Sequence, residues 1–279
     1  MMRLAAVIGH PVAHSLSPVI HRAAFDAAGL DWVYAAFDVA PGAAADAVAA
    51  MRTLGIGGLS VTMPHKDGVA VAVDRLDDAA RALGAVNTVS WDGEQLVGSS
   101  TDGAGFVGAL EADGVMISGA NCVVIGAGGA ARAVIDSLGR AGAASIVVLN
   151  RTAAKADEAA TLASRASVGR AGDITAADIV VNATSVGMGI SRGSAAVSDL
   201  PCDPGLLRAD TVAADLVYHP LETAWLAAAR RHGARAIDGL GMLVHQAALQ
   251  QQIWTGVLPD TAVMRSAAAA HLAATATDP

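Results

Sequence analysis

The stretch Cys122-Val123-Val124-Ile125-Gly126-Ala127-Gly128-Gly129-Ala130-Ala131 determines how the second half of the chain folds. An apolar, strand-like run enters the pattern G-x-G-x-x-A, and a helical run follows over residues 132–139. A dinucleotide-binding βαβ unit has this order of strand, glycine loop and helix. Gly126 allows the tight turn, Gly128 lets a diphosphate approach the backbone, and Ala131 keeps the helix close to the strand. The stretch predicts a cofactor site at Gly126, Ala127, Gly128, Gly129 and Ala130, with a glycine-rich turn that binds nothing as the alternative.

The end of the next strand-like segment indicates which dinucleotide binds. An NAD site usually has an Asp or Glu there, about 20 residues past the glycines, to hold the ribose hydroxyls. Here the chain has Asn150-Arg151-Thr152, with Lys155 one helical turn further on. An Arg and a Lys would pair with a 2′-phosphate, which favours NADP over NAD, although a solvated helix start with Thr152 near its cap is the alternative. The turn 184–188, which begins with Thr184, is the candidate wall for the nicotinamide half.

Outward from this unit, strand-like and Ala-rich helical segments alternate along nearly the whole chain. This alternation predicts an α/β protein with mostly parallel sheets. The residues Trp91-Asp92-Gly93-Glu94 indicate a hairpin turn. Domain boundaries are expected near residues 102–105 and 238–241. We predict strands over 4–9, 33–39, 58–62, 86–91, 121–125, 145–149, 178–182 and 211–217, and helices over 18–28, 42–54, 77–83, 105–113, 129–141, 153–164 and 221–232.

Composition excludes several classes of protein. The 279 residues carry 18 Lys and Arg against 26 Asp and Glu, a net charge of −8, which argues against nucleic-acid or anionic-membrane partners. The two longest uncharged runs, 114–131 and 239–259, contain glycines and glutamines that a membrane span would not tolerate unpaired. Two cysteines cannot form a disulfide scaffold, the N-terminus has no signal-peptide pattern, and the histidines show no metal-ligand spacing. We therefore expect a cytoplasmic protein without a metal, as a monomer or homodimer.

Three polar loops follow strand-like segments in the first half, where open α/β sheets bind ligands. The first, 14–18, has Ser17 before Pro18, as an N-cap does, while Ser15 has no evident capping role. The second, 60–66, ends in Lys66, which is either a surface charge or a group held over a cleft. The third, 98–103, contains Asp102, which is either a helix cap or the acid/base partner of that lysine.

With these motifs, the chain resembles the shikimate dehydrogenase family over essentially its whole length. The residues that carry the resemblance are Ser15-Leu16-Ser17-Pro18, Val61-Thr62-Met63-Pro64-His65-Lys66, Gly84-Ala85-Val86-Asn87-Thr88, Thr101-Asp102-Gly103, the glycine loop, Asn150-Arg151-Thr152, Asn182-Ala183-Thr184-Ser185 and Asp238-Gly239-Leu240-Gly241-Met242-Leu243. The resemblance implies a substrate-binding and catalytic domain over 1–103 and an NADP-binding Rossmann-type domain over 104–237. It also implies C-terminal helices, 238–279, that return to the first domain.

Carried over by position, the family pattern assigns a role to each matching residue. It implies that Lys66 and Asp102 form the catalytic acid–base pair, and that Gly239 and Met242 join the cofactor site. Shikimate would be bound by Ser15, Ser17, Thr62, Asn87, Tyr218 and Gln246. The implied activity is the reversible, NADPH-dependent reduction of 3-dehydroshikimate to shikimate, in chorismate and aromatic amino-acid biosynthesis.

One position departs from the family pattern. Family members commonly have Asn before Thr-Asp-Gly, whereas this chain has Ser99-Ser100 there. A serine cannot reproduce the amide donors of asparagine, so the loop that holds Asp102 is expected to be supported differently. Three alternatives therefore stay open: a quinate/shikimate dehydrogenase, an aminoshikimate dehydrogenase, and a non-catalytic paralogue that senses NADPH.

Overall fold

A computed structural model describes residues 2–189 and 200–275 of the chain. The chain divides into two compact units, Met1–Thr101 together with Val244–Pro279, and Asp102–Leu243. Each unit is built on its own six-stranded sheet. The α/β class predicted from the sequence is confirmed. None of the described helices is long and apolar enough to cross a membrane.

The sheet of the first unit is mixed. Its strands are β1 (Arg3–Gly9), β2 (Trp32–Asp38), β3 (Gly58–Val61), β4 (Arg75–Leu76), β5 (Thr88–Asp92) and β6 (Gln95–Ser99), in the order β2-β1-β3-β5-β6-β4. The strand β5 runs antiparallel to both β3 and β6, and the other pairs are parallel. The predicted hairpin joins β5 to β6. The helices of this unit are α1 (Ser17–Ala27), α2 (Ala44–Leu54), α3 (Lys66–Ala72) and α4 (Asp78–Leu83).

Two core layers cover the two faces of this sheet, because side chains alternate along β1. Ala5 and Val7 pack into one layer with Phe25 and Trp254, while Ala6 and Ile8 pack into the other. The last two helices of the chain are α9 (Leu240–Thr255), which supplies Trp254, and α10 (Thr261–Thr275), which packs against α1.

The second unit has a fully parallel sheet. Its strands are β7 (Asn121–Ile125), β8 (Ser145–Leu149), β9 (Ala166–Val168), β10 (Ile179–Asn182), β11 (Val212–Asp215) and β12 (Arg235–Ile237), in the order β12-β11-β10-β7-β8-β9. Its helices are α5 (Asp102–Ala112), α6 (Gly129–Arg140), α7 (Ala153–Ala160) and α8 (Ala224–Arg231). The strand order reverses direction at β7 and β10, the position where open α/β sheets bind dinucleotides.

Each of the eight predicted strands is present, two of them (121–125 and 145–149) with the predicted ends and six with shifted ends. Other elements were missed or misplaced. The helix α3 was not predicted, because Gly68 interrupts a short sequence that alternates like a strand. A Cβ at Gly68 would lie 2.8 Å from Ala44 Cβ, so close packing on α2 is what favours glycine in this helix. The helix α5 begins at Asp102 rather than at residue 105, and α7 ends at Ala160 rather than at residue 164.

Candidate active site and cofactor site

One edge of the first sheet collects several of the predicted substrate residues. Thr62 directly follows β3, Asn87 directly precedes β5, and Thr101 follows β6. Because β5 is antiparallel to its neighbours, its start lies at the same edge as the ends of β3 and β6. The backbone of Asn87 accepts a hydrogen bond from Val61 N at 2.8 Å and donates one to Ser99 O at 3.0 Å.

Lys66 lies at this same edge, as the first residue of α3. Its carbonyl oxygen accepts a hydrogen bond from Val86 N at 3.0 Å, which brings its backbone close to Asn87. The preceding His65 is buried, and its Nε2 lies 2.8 Å from Val39 O. This anchor on one side and the Val86 bond on the other fix the backbone from which the half-buried Lys66 side chain extends.

The Asn87 side chain is held by the protein itself. Its Oδ1 accepts from Thr101 N at 2.9 Å and Thr88 Oγ1 at 2.7 Å, and its Nδ2 donates to Thr101 Oγ1 at 2.9 Å. The Nδ2 also lies 3.4 Å from Gln246 Oε1, and Thr101 Oγ1 donates to Gln246 O at 3.1 Å. Two predicted substrate residues, Asn87 and Gln246, are therefore brought together.

The same contacts explain how the loop before Asp102 is supported. Thr101 is tied through its amide and hydroxyl to Asn87 and α9, and Ser99 is tied through its backbone to Asn87. Because these bonds use Thr101 and the Ser99 main chain, serine at position 100 removes none of them. Asp102 directly follows Thr101 and is the first residue of α5.

The structure corrects the interpretation of the two serines near α1. Ser17 is not the N-cap but lies inside the helix, and Leu16 occupies the cap position without a side-chain hydrogen bond. Ser15 does have a local structural role, since its Oγ accepts a hydrogen bond from Ser17 N at 3.3 Å. An ST-type turn of this kind competes with the ordinary cap, which the sequence pattern could not reveal. The two residues still lie together at the start of the helix.

A buried polar cluster behind this edge was not predicted. Tyr34 donates to Ser60 Oγ and Ser60 donates to Gln250 Oε1, each at 2.6 Å, while Gln250 Nε2 donates to Asn87 O at 3.1 Å. His21 Nε2 lies 3.3 Å from Gln250 Oε1, and the His21 ring stacks on Tyr34 with centroids 4.4 Å apart. Burial raises the pKa of Tyr34 and lowers the pKa of His21 to about 4. The four-residue spacing of Gln246 and Gln250, which puts both on one helix face, was the available signal.

The glycine loop of the second unit has the geometry that a dinucleotide needs. Gly126 has a φ of +119°, and a Cβ there would lie 2.8 Å from Ala183 O, so the fold itself requires this glycine. At Gly128 and Gly129, by contrast, an added Cβ meets nothing within 4 Å. No described protein atom occupies the space in front of these two positions, which lie at the N-terminus of α6 beside Ala127 and Ala130, and a helix N-terminus of this kind is where dinucleotide-binding folds place the diphosphate.

The residues predicted to bind the 2′-phosphate of the ribose lie at the end of β8, as expected. Asn150 Nδ2 donates to Thr152 O at 2.9 Å, which shapes the turn between β8 and α7. Arg151, Thr152 and Lys155 are exposed, and Thr152 is the N-cap residue but makes no side-chain capping bond. Within the described part of the chain, neither Arg151 nor Lys155 forms an ion pair, so both cations are available to an anionic ligand.

The remaining predicted residues of this unit lie around the ends of β10 and β11. Thr184 donates through Oγ1 to Asn182 Oδ1 at 2.7 Å, at the start of the 184–188 turn. Tyr218 is half-buried, and its burial raises the pKa of the phenol. A Cβ at Gly239 would lie 2.4 Å from Leu216 O, so the chain before α9 passes directly against the segment after β11. Met242 lines a cavity of about 10 Å³, together with Leu216 and Gly239.

Among the described residues, no group of three or more His, Cys, Asp or Glu side chains is placed to hold a metal ion.

Models of known protein families match three ranges of the chain. Residues 7–89 match the model of the shikimate dehydrogenase substrate binding domain, and residues 110–198 match that of shikimate/quinate 5-dehydrogenase. Residues 239–269 match the shikimate 5′-dehydrogenase C-terminal domain. A shikimate dehydrogenase (NADP+) of Symbiobacterium thermophilum is 45% identical, over 97% of this chain and 95% of the relative.

The solved structures that resemble this chain include enzymes named for two different substrates. Shikimate 5-dehydrogenase of Thermus thermophilus, in complex with NADP(H) and shikimate, has a TM-score of 0.88 and 36% identity, over 96% of this chain and 99% of that one. The 5-ketofructose reductase of a Gluconobacter species has a TM-score of 0.89 and 33% identity, over 97% of this chain and 99% of that one. The family models that match along the chain, and a relative 45% identical over 97% of it, place this chain in the shikimate dehydrogenase family.

Proposed function

We propose that this chain catalyses the reversible, NADP-dependent interconversion of shikimate and 3-dehydroshikimate, in the cytoplasmic synthesis of aromatic amino acids. The first unit binds the substrate and the second unit binds NADP. The observation that carries this proposal is the edge of the first sheet, where Lys66, Thr62 and Asn87 are fixed together by backbone hydrogen bonds. A polyhydroxylated ring needs several fixed hydrogen bonds for recognition, and this edge supplies them.

Each proposed role follows from the chemistry of the side chain. NADPH, when bound, supplies the hydride that reduces the carbonyl carbon. Lys66 donates a proton to the carbonyl oxygen as negative charge develops there, and Asp102 favours the protonated amine. Ser15 and Ser17 bind the ring carboxylate, while Thr62, Asn87, Gln246 and Tyr218 contact the ring substituents. In the reverse direction, Lys66 accepts the hydroxyl proton.

The preference for NADP is assigned to the turn after β8. Asn150, Arg151, Thr152 and Lys155 bind the 2′-phosphate, and the absence of a carboxylate at this strand end removes repulsion against it. The diphosphate lies against residues 126–130, Thr184 borders the nicotinamide, and Gly239 and Met242 complete the site. The oligomeric state proposed is a monomer or homodimer.

The two lysines of the chain provide a matched test, since Lys66 and Lys155 are the only ones in the sequence. We expect Lys66→Ala to lower kcat by about 10²–10⁴-fold, the range of general acid catalysis, with KM for shikimate nearly unchanged. We expect Lys155→Ala to raise KM for NADP⁺ and leave kcat nearly unchanged. Turnover retained in the Lys66 variant would contradict the role proposed for that residue.

The 5-ketofructose reductase among the structural neighbours makes a different polyol substrate the second candidate. Specificity constants for shikimate, quinate, an amino analogue and 5-ketofructose, measured with the same preparation, distinguish these possibilities. We expect shikimate to give the highest value. Protein that binds NADPH but turns over none of them would favour a sensor.

A further inference from the structure

A buried carboxylate at the end of β11 has no role in the mechanism above. Asp215 is 1% exposed, and among the described residues all of its hydrogen-bond partners are uncharged. Its Oδ1 accepts from Asn182 Nδ2 at 2.8 Å and Val217 N at 3.0 Å, and its Oδ2 accepts from Thr223 Oγ1 at 2.8 Å. Burying a carboxylate without a cation is unfavourable, so a group kept in this state calls for an explanation.

The hydrogen bonds of Asp215 lead to two segments of the proposed site, the turn with Thr184 that borders the nicotinamide and the segment with Tyr218 that contacts the substrate ring. On one side, Asn182 accepts from Thr184 N at 3.1 Å and donates to Val186 O at 3.2 Å, which shapes the 184–188 turn. On the other side, Val217 immediately precedes Tyr218. A carboxylate is the side chain that can accept all three donors at once.

Two further contacts connect the same segments. Gly189 N donates to His219 O at 2.9 Å. A Cβ added at Gly187 would lie 3.4 Å from Thr223 Cγ2, so the 184–188 turn packs against Thr223. The hydroxyl of this threonine donates a hydrogen bond to Asp215. Capping of α8 does not need Asp215, because Thr223 Oγ1 accepts the Leu226 amide by itself. The contacts of the carboxylate therefore extend beyond the helix cap.

We propose that Asp215 is a positioning residue for hydride transfer, which through Asn182, Val217 and Thr223 fixes the turn carrying Thr184 relative to the segment carrying Tyr218. This inference rests on the proposed function, because it takes the first segment as the border of the nicotinamide and the second as a contact of the substrate ring.

The charge state of Asp215 matters for this role. Burial raises its pKa to about 6, so the group is mainly ionised at neutral pH and accepts all three donors. A proton on Oδ2 would turn that oxygen into a donor toward Thr223 and leave the threonine hydroxyl hydrogen without its acceptor. Proton uptake by Asp215 therefore weakens its contact with Thr223.

Among residues 2–189 and 200–275, the groups that line the cavity beside Asp215 carry no positive charge. Asp238, at the turn before α9, lines the same small cavity, together with the apolar Phe106 and Leu110 of α5. Glu222 is paired with Arg230, and Tyr218 and His219 follow along the chain. Asp238 shares this cavity but is itself a carboxylate, so it supplies no positive charge.

The test uses variants that keep the shape of the network. Asp215→Asn mimics the protonated group, Thr223→Val removes one donor, and Thr223→Ser restores it. Thr211→Val is the matched control, since Thr211 is a buried threonine just before the opposite end of β11 and donates to Ala177 O at 3.2 Å. Two readouts are taken on the full chain: the emission and anisotropy of bound NADPH, which report the order of the nicotinamide, and steady-state kinetics from pH 5 to pH 8.

We expect Asp215→Asn and Thr223→Val to change the emission of bound NADPH, with its Kd altered less than about threefold. We expect kcat to fall about tenfold to a hundredfold, as for a misplacement near 1 Å, while KM for shikimate stays nearly constant. Wild-type kcat should fall below pH 6. This fall should be absent in Asp215→Asn, move to higher pH in Thr223→Val, and return to its original position in Thr223→Ser. Thr211→Val should match the wild type in both readouts.

Unchanged emission and kcat in Asp215→Asn, or a loss of activity in Thr211→Val as large as in Thr223→Val, would overturn the inference. Failure of the proposed function is distinguishable, because it appears as a wild-type chain that turns over no shikimate. In that case the emission readout alone still decides the positioning role. A wild-type chain that binds no NADPH would overturn both.

Discussion

The acid sensitivity of the first unit follows from His21 and can be calculated. His21 is fully buried between Gln250 and the Tyr34 ring, and its folded-state pKa is about 4 against 6.5 in an exposed chain. As pH falls below 6.5, the unfolded chain takes up a proton that the folded chain refuses, so the free energy of unfolding decreases. The difference of 2.5 pKa units, at 1.36 kcal/mol per unit, predicts a loss of about 3 kcal/mol by pH 4. Domains of this kind have about 5–15 kcal/mol in total.

His21→Phe isolates this contribution, because phenylalanine keeps a ring against Tyr34 but does not titrate. The assay is urea unfolding of the full chain at several pH values between 4 and 7.5, analysed as the difference between variant and wild type. Relative to wild type, the variant should gain about 3 kcal/mol as pH falls from 6.5 to 4. His271→Phe, at an exposed position of α10, is the control and should show no such gain. A difference between His21→Phe and wild type that does not change with pH would refute the reasoning.

Asp215 changes the free energy of unfolding with pH in the opposite direction to His21. For this reason the His21 variant is compared with the wild type at each pH. Its folded pKa of about 6 lies above the unfolded value of 3.8, so the folded state is favoured more as pH falls through this range. The difference of about 2 units corresponds to about 3 kcal/mol in the opposite direction, so the wild type alone could look insensitive to pH.

Four further predictions concern the cofactor site and the core. Gly128→Ala should leave the melting temperature unchanged, since an added Cβ meets nothing within 4 Å, but should weaken NADPH binding about tenfold or more in fluorescence titration. Gly126→Ala, with φ at +119°, should instead lower stability by about 1–3 kcal/mol in urea unfolding. Arg151→Ala should reduce the preference for NADP⁺ over NAD⁺ by about tenfold to a hundredfold in kcat/KM, as loss of a charged hydrogen bond does. Gly58→Ala should destabilise the fold by about 1–3 kcal/mol, because its Cβ would lie 2.5 Å from the Trp254 ring; an unchanged urea midpoint would contradict this.

The parts of the fold that were predictable from sequence are those in which a local sequence pattern is compatible with only one local structure. The turn at Gly126 is such a case, because its φ of +119° and its close approach to Ala183 O both need glycine. The assignment of residues 150–152 to a 2′-phosphate depends on charge alone, and it stays a prediction. Short elements such as α3 and β12 were missed because packing on neighbours, rather than their own sequence, stabilises them.

The polar contacts inside the fold were the least predictable from sequence. Ser15 seemed free of any local role, yet its hydroxyl accepts a backbone hydrogen bond from Ser17. The network from Tyr34 through Ser60 to Gln250 joins residues up to 216 positions apart, and no local pattern encodes it. Asp215, placed by the sequence in an ordinary strand end, acquires its unusual environment only when β10 and α8 pack around it.

The most direct test of the central claim is the absorbance of NADPH in a mixture of purified protein, shikimate and either NADP⁺ or NAD⁺. We expect the absorbance to grow with NADP⁺ and hardly at all with NAD⁺, and we expect Lys66→Ala to slow this growth by about 10²–10⁴-fold. Growth with NAD⁺ in preference would contradict the assignment of residues 150–155 to a 2′-phosphate. No growth with either cofactor, from folded protein that binds NADPH, would contradict the proposed reaction.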